Sequence, residues 1–510
     1  MPNFATSIAT HYHERTKYHP QTIAAKNQGL DWSKQPIPFK EYKIGQSYDL
    51  TPYLSETSPS DPQAQEWQRL SRLLGCSYGL TAKIPTMGNP IYLRSAPSAG
   101  GLYPAEVYLI SRGTALLPPG LYNYQAQNHS LVHFWDDEVW SKLQQACWFH
   151  TALENTQLAI ITTAIFYRSS WRYEDRAYRR IFLDTGHLLG NIELACSINH
   201  YRPHLIGGFQ DHLLNKLLYL EPEEEGVITV IPLTDLLEQT QEKLVTYKPT
   251  ALPSPIQTDY PAIADGELLS YFHQATAIQT SESPQPFINL SDAQSLEDKY
   301  NFPFCLKVST KTVPIDWGKE LYDLEKTILR RRSTRAYTGG NLTLEELKSL
   351  LHFTYQPQDY LSQELDPIPD YFDLSLIETF IAVSGVTGID SGCYYYAPKA
   401  QELRQIRFKN FRQELHYLCL GQELGRDAGA IIFHTADLQK AVEKYGDRVY
   451  RYLHLDAGHL GQRLNLAAIQ LNLGVSGIGG FFDDQVNEVL GIPDAEAVLY
   501  LTTLGRPRYQ

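Results

Sequence analysis

Apolar and polar positions alternate in a way that divides the chain into short strands and two long helices. Apolar runs bounded by turn residues predict strands over Val107–Ile110, Ala159–Ala164 and Val227–Ile231, and again over Phe380–Val383, Ala430–Phe433 and Val498–Leu501. Apolar residues at three- and four-residue spacing predict one long helix from Arg176 to His200 and another from Arg448 to Leu473. In the second helix Leu453, Leu460, Leu464, Ala467, Ala468 and Leu471 form the stripe. Asp61 followed by Pro62 reads as an N-cap with proline in the first turn, and Gly75 as a stop. Thr343 with Glu346 forms a capping box ahead of Leu347, Leu350 and Leu351. Both long helices are expected to be largely buried, in an α+β pair of domains packed face to face.

The pattern repeats because the chain repeats. YEDRAYRRIFLDTGHL at 173–188 and YGDRVYRYLHLDAGHL at 445–460 lie 272 residues apart. The same offset pairs Gly120-Leu-Tyr122 with Gly392-Cys-Tyr394, Glu106 with Glu378, and Gly207-Gly208-Phe209 with Gly479-Gly480-Phe481. A repeat this long means two homologous domains rather than solenoid units. The expected organisation is a first domain over 1–240, a Pro/Ser-rich linker over 241–318 and a second domain over 319–510.

Composition adds limits. The 510 residues allow two to four domains, and 43% hydrophobic with 20% charged residues is ordinary for a globular protein. A net charge of −13 argues against nucleic acid as a partner. No apolar run approaches the ~20 residues of a membrane span, and the N-terminus lacks an apolar signal core. The 6 cysteines show no CxxC spacing, so a zinc site or disulfide framework is not expected and a cytoplasmic location is.

Five groups could carry chemistry. The run Arg330-Arg331-Arg332-Ser333-Thr334-Arg335 suits a phosphate, or is a solvated basic turn. The stretch from Arg94 through Pro97, Ser98, Ala99 and Gly100 lets backbone approach a flat ligand, or is a loop that needs glycine. The basic run occurs only in the second copy and the small-residue loop only in the first, so the copies are complementary. Gly474–Phe481, with Ile478, Gly479 and Gly480, follows a long helix, which excludes a dinucleotide fingerprint but allows a turn that presents N–H groups. Asp184/His187 and Asp456/His459 read better as packed helix residues than as metal ligands. Lys444-Tyr445 and its counterpart Arg172-Tyr173 could move protons, or could simply start helices.

Taken together these residues resemble the nitroreductase superfamily of flavoproteins, and within it the SagB-type dehydrogenases, which include thiazoline/oxazoline oxidases. Arg94-x-x-Pro97-Ser98-Ala99-Gly100-x-Leu102-Tyr103-Pro104-x-Glu106 carries most of the resemblance. The leader Tyr12-His13-Glu14-Arg15-Thr16-Lys17, the arginine run, Gly-His on the long helices and Gly505-Arg506-Pro507 add to it. The resemblance implies FMN at a domain interface. Arg330, Arg331, Ser333, Arg335 and Arg506 would hold the phosphate, Gly479 and Gly480 would point N–H groups at the ring near N5, and Arg94 and Pro97–Gly100 would close the site from the other copy. It further implies one FMN per chain in an intrachain pseudo-dimer, alone or in a higher homo-oligomer.

In SagB-type oxidases a Lys-Tyr pair acts as catalytic base, and here only the second copy has the lysine. The expected function is therefore an FMN-dependent oxidoreductase acting on a modified peptide or related small molecule, with Tyr173 or Tyr445 assisting proton transfer. An NAD(P)H-dependent nitro- or ene-reductase and a degenerate, non-catalytic scaffold are the alternatives.

Overall fold

The computed structural model describes residues 6–25, 29–55, 59–86, 90–237, 250–280, 282–284, 297–303 and 305–508. Each half is built on a seven-stranded antiparallel sheet. In the first the strands lie in the order Gln46–Asp49, Ser130–Trp135, Gly120–Gln125, Ala105–Ser111, Leu158–Ile165, Glu225–Asp235 and Tyr201–Pro203. The second repeats that order with Lys307–Ser309, Glu402–Arg407, Gly392–Ala397, Glu378–Val383, Ala430–Asp437, Glu496–Gly505 and Gly474–Ile478. Every predicted strand lies inside one of these. Alternation along a strand splits its side chains between two layers. Ile381 and Val383 face a core that spans both halves, while Phe380 and Ala382 face a smaller cluster under the outer helices Arg412–Leu418 and Asp483–Leu490.

The predicted long helices run over Ala177–Ile198 and Val449–Gln470 and are buried along nearly their whole length. The Asp61 cap holds, accepting from the Ala64 N–H, but the helix continues through Gly75 to Tyr78 because Gly75 packs inside it. The Thr343–Glu346 capping box forms as predicted. The long helices cross where both have glycine. A Cβ on Gly186 would lie 2.3 Å from the Leu455 carbonyl oxygen, and one on Gly458 would lie 2.3 Å from the Leu183 carbonyl oxygen. These contacts exchange under the 272-residue offset, which is the signature of an isologous interface formed within one chain.

Buried charge follows the same symmetry. Arg176 and Arg179 donate to Asp483 at 2.8 and 2.7 Å, and Arg448 and Arg451 donate to Asp211 at 2.8 and 2.9 Å. Each triad joins a long helix of one half to an outer helix of the other. Burial disfavours the charge on Asp483 and Asp211, but the paired guanidiniums outweigh it and hold both pKa values below the ordinary carboxylate range.

The 241–318 segment does more than connect. Residues 241–249, 281, 285–296 and 304 of it lie outside the described residues. Its helix Leu268–Ala275 is the counterpart of the N-terminal helix Ile8–Arg15. Tyr12 and Phe272 stack with centroids 4.4 Å apart. His13 bonds the Tyr450 hydroxyl at 3.1 Å and His273 bonds that of Tyr178 at 3.2 Å. Thr16 accepts from Arg179 as Thr276 accepts from Arg451. The second copy thus has its own leader, 260 residues after the first.

Candidate functional site between the halves

A cavity of about 90 Å³ opens between the halves. From the first half it is lined by Pro97–Gly100, Arg180, Leu183, Asp184 and His187; from the second by Ser333, Arg335, Ser476, Gly477, Gly479 and Tyr500. The small-residue loop is clamped from two sides. Ser98 donates to Asp184 at 2.6 Å and accepts from the Tyr103 N–H at 2.8 Å, while the Ala99 N–H donates to Asp184 at 3.1 Å. From the other half, Arg331 donates to the carbonyls of Ser95 at 2.7 Å and Arg94 at 3.0 Å. Gly100 has φ +67°, a left-handed conformation that the tight loop requires. Burial raises the Asp184 pKa to about 7, against the pull of its hydrogen bonds.

Opposite the loop, Gly474–Ile478 is an edge strand, and the turn proper is Gly479-Gly480. The Thr334 N–H donates to the Val475 carbonyl at 2.8 Å, so the Ser333–Arg335 segment lies along this edge. A Cβ on Gly479 would stand 2.6 Å from Nη1 of Arg180. Among the described residues no acceptor meets the N–H of Gly479 or Gly480.

The expected phosphate set is dispersed. Ser333 and Arg335 line the cavity. Arg331 is spent on the loop. Arg330 lies outward, 3.4 Å from Gln470 Oε1, and Arg506 grips both oxygens of the capping Glu346 at 2.8 and 2.7 Å. Arg94 is buried in an aromatic cage, with its guanidinium 4.3 Å from the Tyr78 centroid and 5.1 Å from those of Tyr103 and Phe39. Ile478 is buried in the outer core, so only the backbone of its turn faces inward.

Of the two candidate proton-transfer pairs, Arg172-Tyr173 is the one beside the small-residue loop, against Gly100. The Tyr173 hydroxyl is 2.8 Å, and Arg172 Nη1 is 3.4 Å, from where a Cβ on Gly100 would be. Burial raises the Tyr173 pKa, partly offset by Arg180 and Arg172. Lys444 and Tyr445 lie at the symmetry-related position, where both donate to Asp373, at 2.5 and 3.0 Å.

That related position is filled. The N–H groups of Gly207 and Gly208 both donate to the Thr250 carbonyl, at 2.9 and 3.1 Å. A Cβ on Gly207 would lie 2.4 Å from Phe372 and 2.7 Å from Tyr452, and one on Gly208 would lie 2.3 Å from Leu252. Phe372 stacks on Tyr452 at 4.9 Å, and Tyr371 on His459 at 4.2 Å. Phe372 and Asp373 donate their N–H groups to Asp456, as Ala99 does to Asp184, so an aromatic segment takes the place of the small-residue loop.

The chain matches the nitroreductase family over residues 68–233 and 328–506. It belongs to that family. A crystal structure of a protein from Anabaena variabilis, also named a nitroreductase, is 69% identical, covers 99% of this chain and 100% of that one, and superposes with a TM-score of 0.93. A Methanocaldococcus jannaschii protein named a nitroreductase is 31% identical over 183 residues, which is 36% of this chain and 90% of the other. The trifolitoxin-processing protein TfxF of Rhizobium leguminosarum bv. trifolii is 26% identical over 136 residues, 26% of this chain and 45% of that protein. The family typically binds FMN. The cavity suits such a group in its donor set: N–H groups at the Gly479-Gly480 turn that meet no acceptor among the described residues, glycines at 100, 477 and 479 in its lining, and the Ser333 hydroxyl with Arg335 along the same edge. Among the described residues no cluster of three metal-ligating side chains is present, and no helix is long and apolar enough to cross a membrane.

Sequence reasoning missed two residues here. Asp184 was grouped with His187 as packing. His187 does pack, bonded to Gln462 at 2.9 Å and Tyr500 at 2.8 Å, but Asp184 positions the loop. Arg180 stands opposite Tyr452 in the aligned repeats, a visible difference between copies that marks the site.

Proposed function

We propose that the chain is an FMN-dependent oxidoreductase with one flavin per chain, held between the halves, and that it works on the substrate in the reductive direction. The carrying observation is the contrast between the two glycine turns. The N–H groups of Gly479, which lines the cavity, and of the adjacent Gly480 meet no acceptor among the described residues, whereas those of Gly207 and Gly208 are satisfied by Thr250. Ser333 and Arg335 would take the phosphate, and Pro97–Gly100 would pack on the cofactor from the other half. When bound, FMN supplies two-electron hydride chemistry.

The chain's own residues favour giving a proton over taking one. Tyr173 stays protonated at neutral pH, since burial lifts its pKa further, and its neighbour Arg172 cannot serve as a base. Tyr173 therefore delivers a proton to the substrate atom that gains negative charge and recovers one from solvent at the exposed mouth. The Lys-Tyr pair that the peptide-oxidising reading relies on is held by Asp373 in the filled position. The likeness to a trifolitoxin-processing protein supports a peptide-derived substrate as a second reading. Flavin absorbance against protein concentration tests the first claim, and a ratio near two would overturn it. Consumption of NAD(P)H with nitroaromatic or quinone acceptors tests the direction; turnover confined to azoline oxidation would overturn that.

A further inference from the structure

Arg180 has no counterpart in the second copy, where Tyr452 fills the filled position. It is 93% buried by its own 7% exposure, yet it forms no ion pair among the described residues. Its Nε has no partner, and its one hydrogen bond is a long 3.4 Å contact to the Tyr18 hydroxyl. The guanidinium lies 3.8 Å from the Tyr173 ring centroid and lines the cavity. Arg172, with its guanidinium 5.6 Å from the same ring centroid, is exposed and also without an ion pair among the described residues. At the filled position, by contrast, Lys444 is neutralised by Asp373, and Asp370 by Arg202.

A buried, unpaired guanidinium is costly, so its retention points to an anionic ligand. The cofactor phosphate is not that ligand in the arrangement proposed above. Ser333 and Arg335 flank Val475, four strand residues or ~13 Å from Gly479, where Arg180 lies. Asp184, the nearest carboxylate in the cavity, turns its oxygens to Ser98 and Ala99. The planar fork of arginine matches a carboxylate in two-pronged fashion.

We propose that the substrate carries a carboxylate, which Arg180, aided by Arg172, binds beside Tyr173 so that the reducible group meets its hydroxyl. This rests on the flavin reading, and it deepens it by assigning a substrate class.

Calorimetric titration of the purified full chain with benzoate and with its neutral isostere benzamide tests the proposal, because it reads binding whether or not flavin is present. Flavin content is read separately by absorbance, so a flavin-free chain that still prefers benzoate would sink the cofactor reading alone. The expected result is benzoate binding at least about tenfold tighter than benzamide. Arg180→Gln and Arg180→Tyr should remove that preference, Arg180→Lys should keep most of it, and Arg172→Gln should reduce it less. Benzamide affinity should change less than benzoate affinity, and the melting temperature should not fall, since Arg180 forms no ion pair among the described residues and its burial is costly. Equal binding of the two probes overturns the proposal. So does an Arg180→Gln chain that loses FMN affinity but keeps the preference, because the arginine would then serve the cofactor.

Discussion

The two positions related by the internal symmetry share a scaffold but differ in the glycine turn, in the loop that faces it and in the pairing of their cations. At one, the glycine turn meets no acceptor, the facing loop is Pro-Ser-Ala-Gly, and Arg172 and Arg180 form no ion pair among the described residues. At the other, Thr250 caps the turn, Tyr371 and Phe372 replace the small residues, and Lys444 is bound to Asp373. The scaffold groups diverged far less. The Arg-Arg-Asp triads and the glycine crossing match on both sides to within a few tenths of an ångström, and on each side a helix aspartate holds the facing loop. Groups that hold the halves together are kept on both sides, whereas the open glycine turn and the small-residue loop are kept on one.

The largest effects should fall equally on both sides. Asp483→Asn and Asp211→Asn each strand two buried guanidiniums, and each should cost about 3–5 kcal/mol in denaturant unfolding. A large inequality between them would break the symmetry of the scaffold. The next effect should be one-sided. Gly479→Ala puts a methyl group into the cavity wall 2.6 Å from Nη1 of Arg180 and should weaken FMN binding by about tenfold or more, read by fluorescence titration. Gly207→Ala should leave FMN affinity unchanged and instead cost about 1–3 kcal/mol from its clash with Phe372 and Tyr452.

Thinning the plug should have a smaller consequence. Leu252→Ala should lower stability by about 1–3 kcal/mol without admitting a second flavin, since the first copy lacks the arginine run; two flavins per chain would break the comparison. The smallest effect is on pH dependence. Burial raises Asp184 and Asp456 to about 7, above their ordinary value, so the folded state holds their protons more tightly and stability falls as pH rises from about 4 to 7. Asp184→Asn and Asp456→Asn should each flatten melting temperature against pH over that window, to a similar extent.

Much of the fold was legible because it rests on local signals: apolar runs, a capping box and a repeat at constant offset. The second leader was not. Only Phe272, His273 and Thr276 preserve its pattern, and it sits at a different offset in a Pro/Ser-rich stretch. In the site, the complementary loss of motifs and the Arg172/Lys444 difference could be read from the sequence. The tasks of Arg331, Arg506 and Arg94 could not. An arginine satisfies a carbonyl, a carboxylate or an aromatic face as readily as a phosphate, and only packing decides which is near. Asp184 was hidden for a similar reason, since a helix residue shows its partner only once a loop 85 positions away is placed beside it.

The covalent join between the halves also changes how the protein responds to dilution. A site shared by two separate subunits is lost when they dissociate, so its occupancy falls with expression level. Here the second half is always present at an effective concentration set by the tether rather than by the number of molecules in the cell, in the millimolar range for a short flexible one. A few copies per cell would hold their cofactor as firmly as thousands.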